Sequence, residues 1–163
     1  MMTTEVADES ATWRRRFASS ANNRAWTLSE QLKRTPLEDQ EMLDAAHAAA
    51  HLWREVGTEH HAALASLLLG QVHALLGNAS LSEPYAVGAH QYFLCRDSDP
   101  WELALSHVVM ASAACCSGKS LQHREYYRWA VDLIDALNDP EEKSILMASL
   151  SVVPLPQAAD AAA

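Results

Sequence analysis

The stretch Glu38–Asn78, EDQEMLDAAHAAAHLWREVGTEHHAALASLLLGQVHALLGN, decides the fold. In its first half Met42, Ala46, Ala49, Trp53 and Val56 follow one another at spacings of four, three, four and three residues, which is one face of a helix. Val56-Gly57-Thr58 interrupts the pattern, and a second apolar series, Leu64, Leu68, Val72 and Leu75, resumes after it. Leu67 and Leu76 widen that second arc until most of the helix circumference needs cover. A lone helix pair cannot supply it, so the pattern predicts an all-α array of packed helices.

Working outward, the chain punctuates its own helices. Thr35-Pro36-Leu37-Glu38, Asp99-Pro100-Trp101-Glu102 and Asp139-Pro140-Glu141-Glu142 each offer a capping oxygen, a proline where the missing N–H costs nothing, and a carboxylate three residues past the cap. Thr58 with Glu59 and Ser80 with Glu83 mark further starts, while Gly77-Asn78 and Gly118-Lys119 mark stops. About seven helices follow, at 8–34, 36–56, 59–76, 81–95, 100–117, 121–137 and 140–152. The first carries the stripe Trp13, Phe17, Ala21, Ala25, Leu28 and Leu32, with Asn22-Asn23 expected to bend or break it. Residues 1–7 and the tail 154–163, with its prolines and small side chains, are expected to be disordered around a single domain, 8–153.

Laid over one another, these signals repeat. Gly77 to Gly118 is 41 residues, Glu59 to Pro100 is 41, Pro100 to Pro140 is 40, and Ala48, Ala89 and Ala130 also fall 41 apart. A period of this size built from a helix pair predicts stacked antiparallel hairpins, an α-solenoid. The hairpins are read at 36–78, 80–118 and 120–153, with helix 8–34 as the N-terminal cap and the three alanines where paired helices cross closely.

The paired helices, the alanine near the middle of each first helix, the aromatic residues Trp53, Tyr92 and Phe93 near its end, and the Leu-Gly-Asn and Ser-Gly-Lys turns together resemble tetratricopeptide-type repeats over about residues 36–153. Ala46-His47, Trp53-Arg-Glu-Val-Gly57-Thr58, Leu76-Gly77 and Tyr85-Ala86 are also similar to short bacterial proteins that carry a tetratricopeptide-like label. The resemblance implies a non-enzymatic scaffold or adaptor that binds a protein or peptide.

Composition and charge narrow the partner. The formal charge of −9 divides into +2 over residues 1–34 and −11 over residues 35–163, and an acidic body repels nucleic acid and anionic lipid. Arg14, Arg15 and Arg16 form the one basic cluster, read as a solvated face with stems over apolar neighbours. With no run long enough for a membrane span, no signal-peptide pattern, and three cysteines that suit reduced thiols, a cytoplasmic location is expected. Few repeats with incomplete end caps also suit a homodimer.

In such an array the first helices of the hairpins, here the second, fourth and sixth of the chain, are expected to line a concave groove. Asp44, His47, His51, Glu55, Tyr85, Tyr92 and Trp129 are the candidate groove residues, suited to a basic peptide, with Tyr92 and Trp129 exposed because they lie off the main seams. The alternative is a small-molecule or metal-binding protein, or an enzyme, whose pocket gathers His47, His73, His90 or His107 between hairpins. His47 and His51, four apart on one helix, have a spacing that suits chelation, with His90, Asp44 or Glu83 as a further ligand. Neither a metal nor a cofactor is expected, since no glutamate or Cys/His pair completes a metal motif. His107 falls on an apolar stripe and needs a hydrogen-bond partner, with His73 a candidate neighbour, while His60 and His61 are expected exposed in a first helical turn. Cys115 and Cys116 are read as inert, and no nucleophile elbow or phosphate loop is present, which leaves catalysis open and unsupported.

Overall fold

The structure is a computed structural model that describes residues 2–157, with side chains from residue 9 onward. Seven helices follow in order: α1 (Met2–Ser29), α2 (Pro36–Val56), α3 (Glu59–Leu75), α4 (Ala79–Leu94), α5 (Pro100–Cys116), α6 (Ser120–Asp135) and α7 (Pro140–Ser151). Among the described residues there is no strand, and no helix is long and apolar enough to cross a membrane. Met1 and residues 158–163 of the tail lie outside the described residues, and 154–157 carry no regular secondary structure.

The local signals set the boundaries. Thr35 and Glu38 form a capping box, the Thr35 N–H donating to Glu38 Oε2 at 2.7 Å, and the Asp139 carboxylate accepts from the Glu141 N–H at 2.8 Å. Gly77 and Gly118 take the left-handed conformation, with φ of 76° and 68°, and close matching C-terminal turns. In these, Asn78 N–H donates to His73 O and Lys119 N–H to Ala114 O, at 2.8 and 2.9 Å. Three expectations at boundaries change. α1 is helical from Met2 and ends at Ser29, because Arg34 folds back to bond Gln31 O at 2.8 Å and pair with Asp39 at 2.6 Å. Asn22 and Asn23 sit inside an uninterrupted α1. Ser80 lies within α4 rather than capping it, and Pro84 is accommodated inside that helix.

The helices pack as stacked antiparallel pairs, but the phase of the pairing differs from the one expected. The most extensive packing joins α1 to α2, α3 to α4 and α5 to α6, and the odd-numbered helices touch in succession, α1 to α3 to α5 to α7. α1 lies along α2 through Ala25, Leu28, Met42 and Ala46, and its rim is pinned by the ion pairs Arg14–Glu55 and Arg24–Glu41. The repeat is then visible in burial. Ala21, Ala25 and Leu28 of α1 recur as Ala63, Leu67 and Gly70, as Ala104, Val108 and Ala111, and as Leu146, Leu150 and Val153, at offsets of 42, 41 and 42 residues; all but the half-buried Ala21 are buried.

The even helices repeat too. Met42, Ala46, Ala49 and Trp53 correspond to Ser82, Ala86, Ala89 and Phe93, 40 residues on, and these to His123, Tyr127, Ala130 and Ile134, 41 further. The close-crossing alanine of α2 is therefore Ala49, and Ala48 is exposed.

Two core clusters meet at α3, which gives Leu68, Leu69 and Val72 to the one shared with α1 and α2, and Ala63 and Leu67 to the one that runs on to α7. Trp13 and Phe17, expected in the α1 stripe, are 49% and 60% exposed and stack on each other beyond the reach of the core.

Candidate functional site

Because the odd helices face one another, the inner surface of the array is built from α1, α3, α5 and α7. A cavity of about 420 Å³ lies there, between Asn22, Asn23, Trp26 and Glu30 of the α1 end, His61 and Leu64 of α3, Trp101 and Leu105 of α5, and Glu142, Ile145, Leu146 and Ser149 of α7, with Trp53 of α2 closing one side. That volume is in the range of a small-ligand pocket. Asn22, Leu64 and Leu105 occupy the same register position in successive repeats, so the cavity is a product of the stacking itself.

Local structure holds the aromatic wall in place. The His61 ring stacks on Trp53 with centroids 4.3 Å apart, and His61 Nδ1 accepts the Thr58 N–H at 3.2 Å, leaving the ring proton on Nε2. Gly57 allows this approach: a Cβ there would stand 2.6 Å from Trp53 O and 2.9 Å from His61 Cβ. None of the indole N–H groups of Trp26, Trp53 and Trp101 finds an acceptor among the described residues. On the opposite wall Ser149 Oγ donates to Glu30 Oε1 at 3.1 Å, joining the last helix to the end of the first. Burial pushes the half-buried Glu30 carboxyl up, and the Ser149 hydrogen bond works against that shift.

Next door, His60 bonds the buried Glu102 carboxylate, tying the start of α3 to the start of α5. His60 and His61 are thus engaged and half-buried, not the free exposed rings expected: His60 because the first turns of α3 and α5 are neighbours, His61 because the tight Gly57 turn folds it onto Trp53.

The candidate groove residues do not converge. Asp44, His47, His51 and Glu55 lie exposed on α2, where Gln40 donates to Asp44 at 2.9 Å and Glu55 pairs with Arg14 and His51 at 3.2 and 3.5 Å. His47 meets the edge of His73, which in turn stacks on Tyr85, with centroids 5.5 and 5.9 Å apart. Tyr92 is half-buried under the Arg96 guanidinium, 4.3 Å from its ring, and Trp129 is exposed. His47, His51 and His90 are not brought together, and among the described residues no group of three or more His, Cys, Asp or Glu side chains is arranged to hold a metal ion.

The histidines of the alternative pocket separate into two pairs, His47 with His73 and His90 with His107. The second pair stands edge to face, centroids 4.6 Å apart, in a shallower hollow of about 520 Å³ lined also by Leu94, Leu103, Tyr126, Trp129, Asp132 and Leu133. Ser106 gives its proton to Leu103 O at 2.7 Å and so accepts from His90 Nδ1–H at 2.8 Å. His107 Nδ1–H donates to the same carbonyl at 2.9 Å. His107 therefore has its partner, but the partner is a carbonyl of its own helix and the facing ring is His90, not His73. Burial, and then His107, pushes the His90 imidazole down to about 4, and burial lowers His107 as well. Both rings are neutral with their Nε2 lone pairs free. Ser106, its proton turned to a carbonyl, is not set up as a nucleophile. Cys115 and Cys116 have thiols pushed up by burial, the opposite of an activated cysteine.

Comparison with family models, with curated proteins and with solved structures finds no match to this chain.

Sequence reasoning did not reach Trp26, Trp101, Glu30 or Ser149. The available signal was that Trp26 and Trp101 fall off the apolar stripes of their helices, where a large ring needs another reason to be kept.

Proposed function

We propose that the protein is a non-enzymatic, tetratricopeptide-like scaffold that holds an extended or helical segment of a partner protein along the inner surface formed by α1, α3, α5 and α7. The observation that carries this is the convergence of Trp26, Trp53 and Trp101, from three helices, on one open cavity between the first and last helices. Tryptophan is the residue type most enriched at binding hot spots, since it buries much area with little loss of rotamer freedom. Free indole N–H groups and the Asn22 and Asn23 amides suit the carbonyls of a bound backbone. Three free thiols accord with a reducing, cytoplasmic setting.

The test is a peptide selected from a random display library on the full-length chain. Its affinity is expected to fall at least about tenfold in Trp101→Ala, which removes a hot-spot ring, and to stay unchanged in Trp129→Ala. Loss of binding in Trp129→Ala with Trp101→Ala unaffected would overturn the proposal.

The paired lone nitrogens of His90 and His107 support the second reading, a small-molecule site on α4, α5 and α6. Native mass spectrometry of the purified protein with no bound ligand, and no change of these two ring signals with cell-extract metabolites, would remove it.

A further inference from the structure

We infer that the tryptophan cavity receives a cationic side chain, a lysine or arginine of the partner segment, with its apolar stem against the rings and leucines and its charged end at Glu30 and Glu142. The inference rests on the proposed role of the inner surface and adds what that surface selects.

The walls of the cavity are Trp26, Trp53, Trp101, Leu64, Leu105 and Leu146, and a wall of this kind favours a long aliphatic stem. The charged groups lining it are the Glu30 and Glu142 carboxylates, and neither a lysine nor an arginine is among the lining residues. An anionic segment would meet two like charges with no counter-ion, whereas a cation gains from both carboxylates and from the ring quadrupoles. Trp26 and Trp101 pack in part against the core and make no ring–ring or cation contact among the described residues, whereas Trp13 and Tyr92 already carry Arg16 and Arg96. The raised Glu30 carboxyl is consistent with a charge site awaiting a counter-ion, because an arriving cation replaces the solvation that burial removed. The acidic body, −11 over residues 35–163, draws a basic segment toward the same surface.

The experiment uses three probes of equal length on the intact chain, hexylammonium, hexanol and hexanoate, followed by the indole N–H signals in nitrogen–proton correlation spectra. Hexylammonium is expected to bind about tenfold more tightly than hexanol, with hexanoate weakest, and all shifts confined to Trp26, Trp53 and Trp101. In Glu30→Gln/Glu142→Gln the ammonium is expected to fall to the level of hexanol while hexanol is unchanged; retained hexanol binding also shows that the variant is folded. If the double variant does not fold, Glu142→Gln alone gives a partial loss of the same preference. Hexanol binding as tightly as hexylammonium would overturn the inference and leave the cavity as an apolar seat for a partner. A preference for the ammonium that survives both substitutions would overturn the role of the carboxylates. Failure of all three probes to bind would overturn both the inference and the cavity's place in the proposed function.

Discussion

Gly70 and Gly88 sit in neighbouring helices, and the structure predicts that the same substitution acts on them with opposite sign. A Cβ at Gly70 would stand 3.0 Å from Val109 Cγ1, 3.1 Å from Ala86 N and 3.3 Å from Ala86 Cα, so a methyl group fits between α3, α4 and α5 only if its neighbours yield by a few tenths of an ångström. Two of those neighbours are backbone atoms of α4, which cannot swing aside. The crossing is also hydrogen-bonded, the buried Ser82 hydroxyl donating to Gly70 O at 2.8 Å. Alanine in place of glycine favours a helix by about 1 kcal/mol, but overpacking of this kind costs roughly 1–3 kcal/mol and opens the crossing. Gly70→Ala is therefore expected to destabilise by up to about 2 kcal/mol net. At the exposed Gly88 nothing lies within 4 Å of the added Cβ, so Gly88→Ala keeps the helix gain and is expected to stabilise by up to about 1 kcal/mol. Urea unfolding followed by circular dichroism measures both. A Gly70→Ala protein stabilised as much as Gly88→Ala, or a Gly88→Ala protein weakened as much as Gly70→Ala, would refute the close crossing on which the stacking depends.

Three further outcomes follow from the polar contacts. The folded His90 titrates near 4 against about 6.5 for a free imidazole, so the unfolded chain binds that proton more tightly. Its stabilising effect is complete above about pH 6.5 and is lost as pH falls toward 4; with allowance for partial solvation this is about 2 kcal/mol. Urea midpoints of the parent and of His90→Phe at neutral pH and near pH 4.5 check it, and equal acid sensitivity of the two would count against it. His61→Ala removes the acceptor for Thr58 N–H and the ring that supports Trp53, and a loss of about 1 kcal/mol in thermal unfolding is expected; an unchanged melting temperature would show that the contact is idle. Ser149→Ala removes the hydrogen bond that opposes the burial of Glu30, so the Glu30 carboxyl should titrate at still higher pH by carbon NMR, and a downward move would contradict the α1–α7 link.

The fold was legible because its signals are local. Caps such as Thr35–Glu38 and Asp139, and the turns at Gly77 and Gly118, depend on residues within one helical turn, and the stripe Met42, Ala46, Ala49, Trp53 names its own buried face. The phase of the pairing was not legible, and with it the groove. A repeat in sequence gives the length of the unit but not which helix begins it, since α2–α3 and α3–α4 are both adjacent and both joined by short turns. That choice is made by contacts between distant residues, Ala25 and Leu28 against Met42 and Ala46, and Arg14 against Glu55. Once α1 joins α2, the inner surface passes from the even helices to the odd ones. Asp44, His47, His51 and Glu55 are left on the outside of the first pair, while Trp26 and Trp101 move to the centre. The register slip from 41 to 40 residues between α2 and α4 had a similar effect on a smaller scale, exposing Ala48 and burying Ala49.

The five tryptophans report on where a partner segment binds, because three line the inner cavity and two, Trp13 and Trp129, lie elsewhere. Titrating the selected peptide into the isotope-labelled full-length protein and following the five indole N–H signals reads the binding surface directly. The signals of Trp26, Trp53 and Trp101 are expected to move together while those of Trp13 and Trp129 stay in place. Movement of Trp129 or Trp13 with the cavity signals unchanged would contradict it.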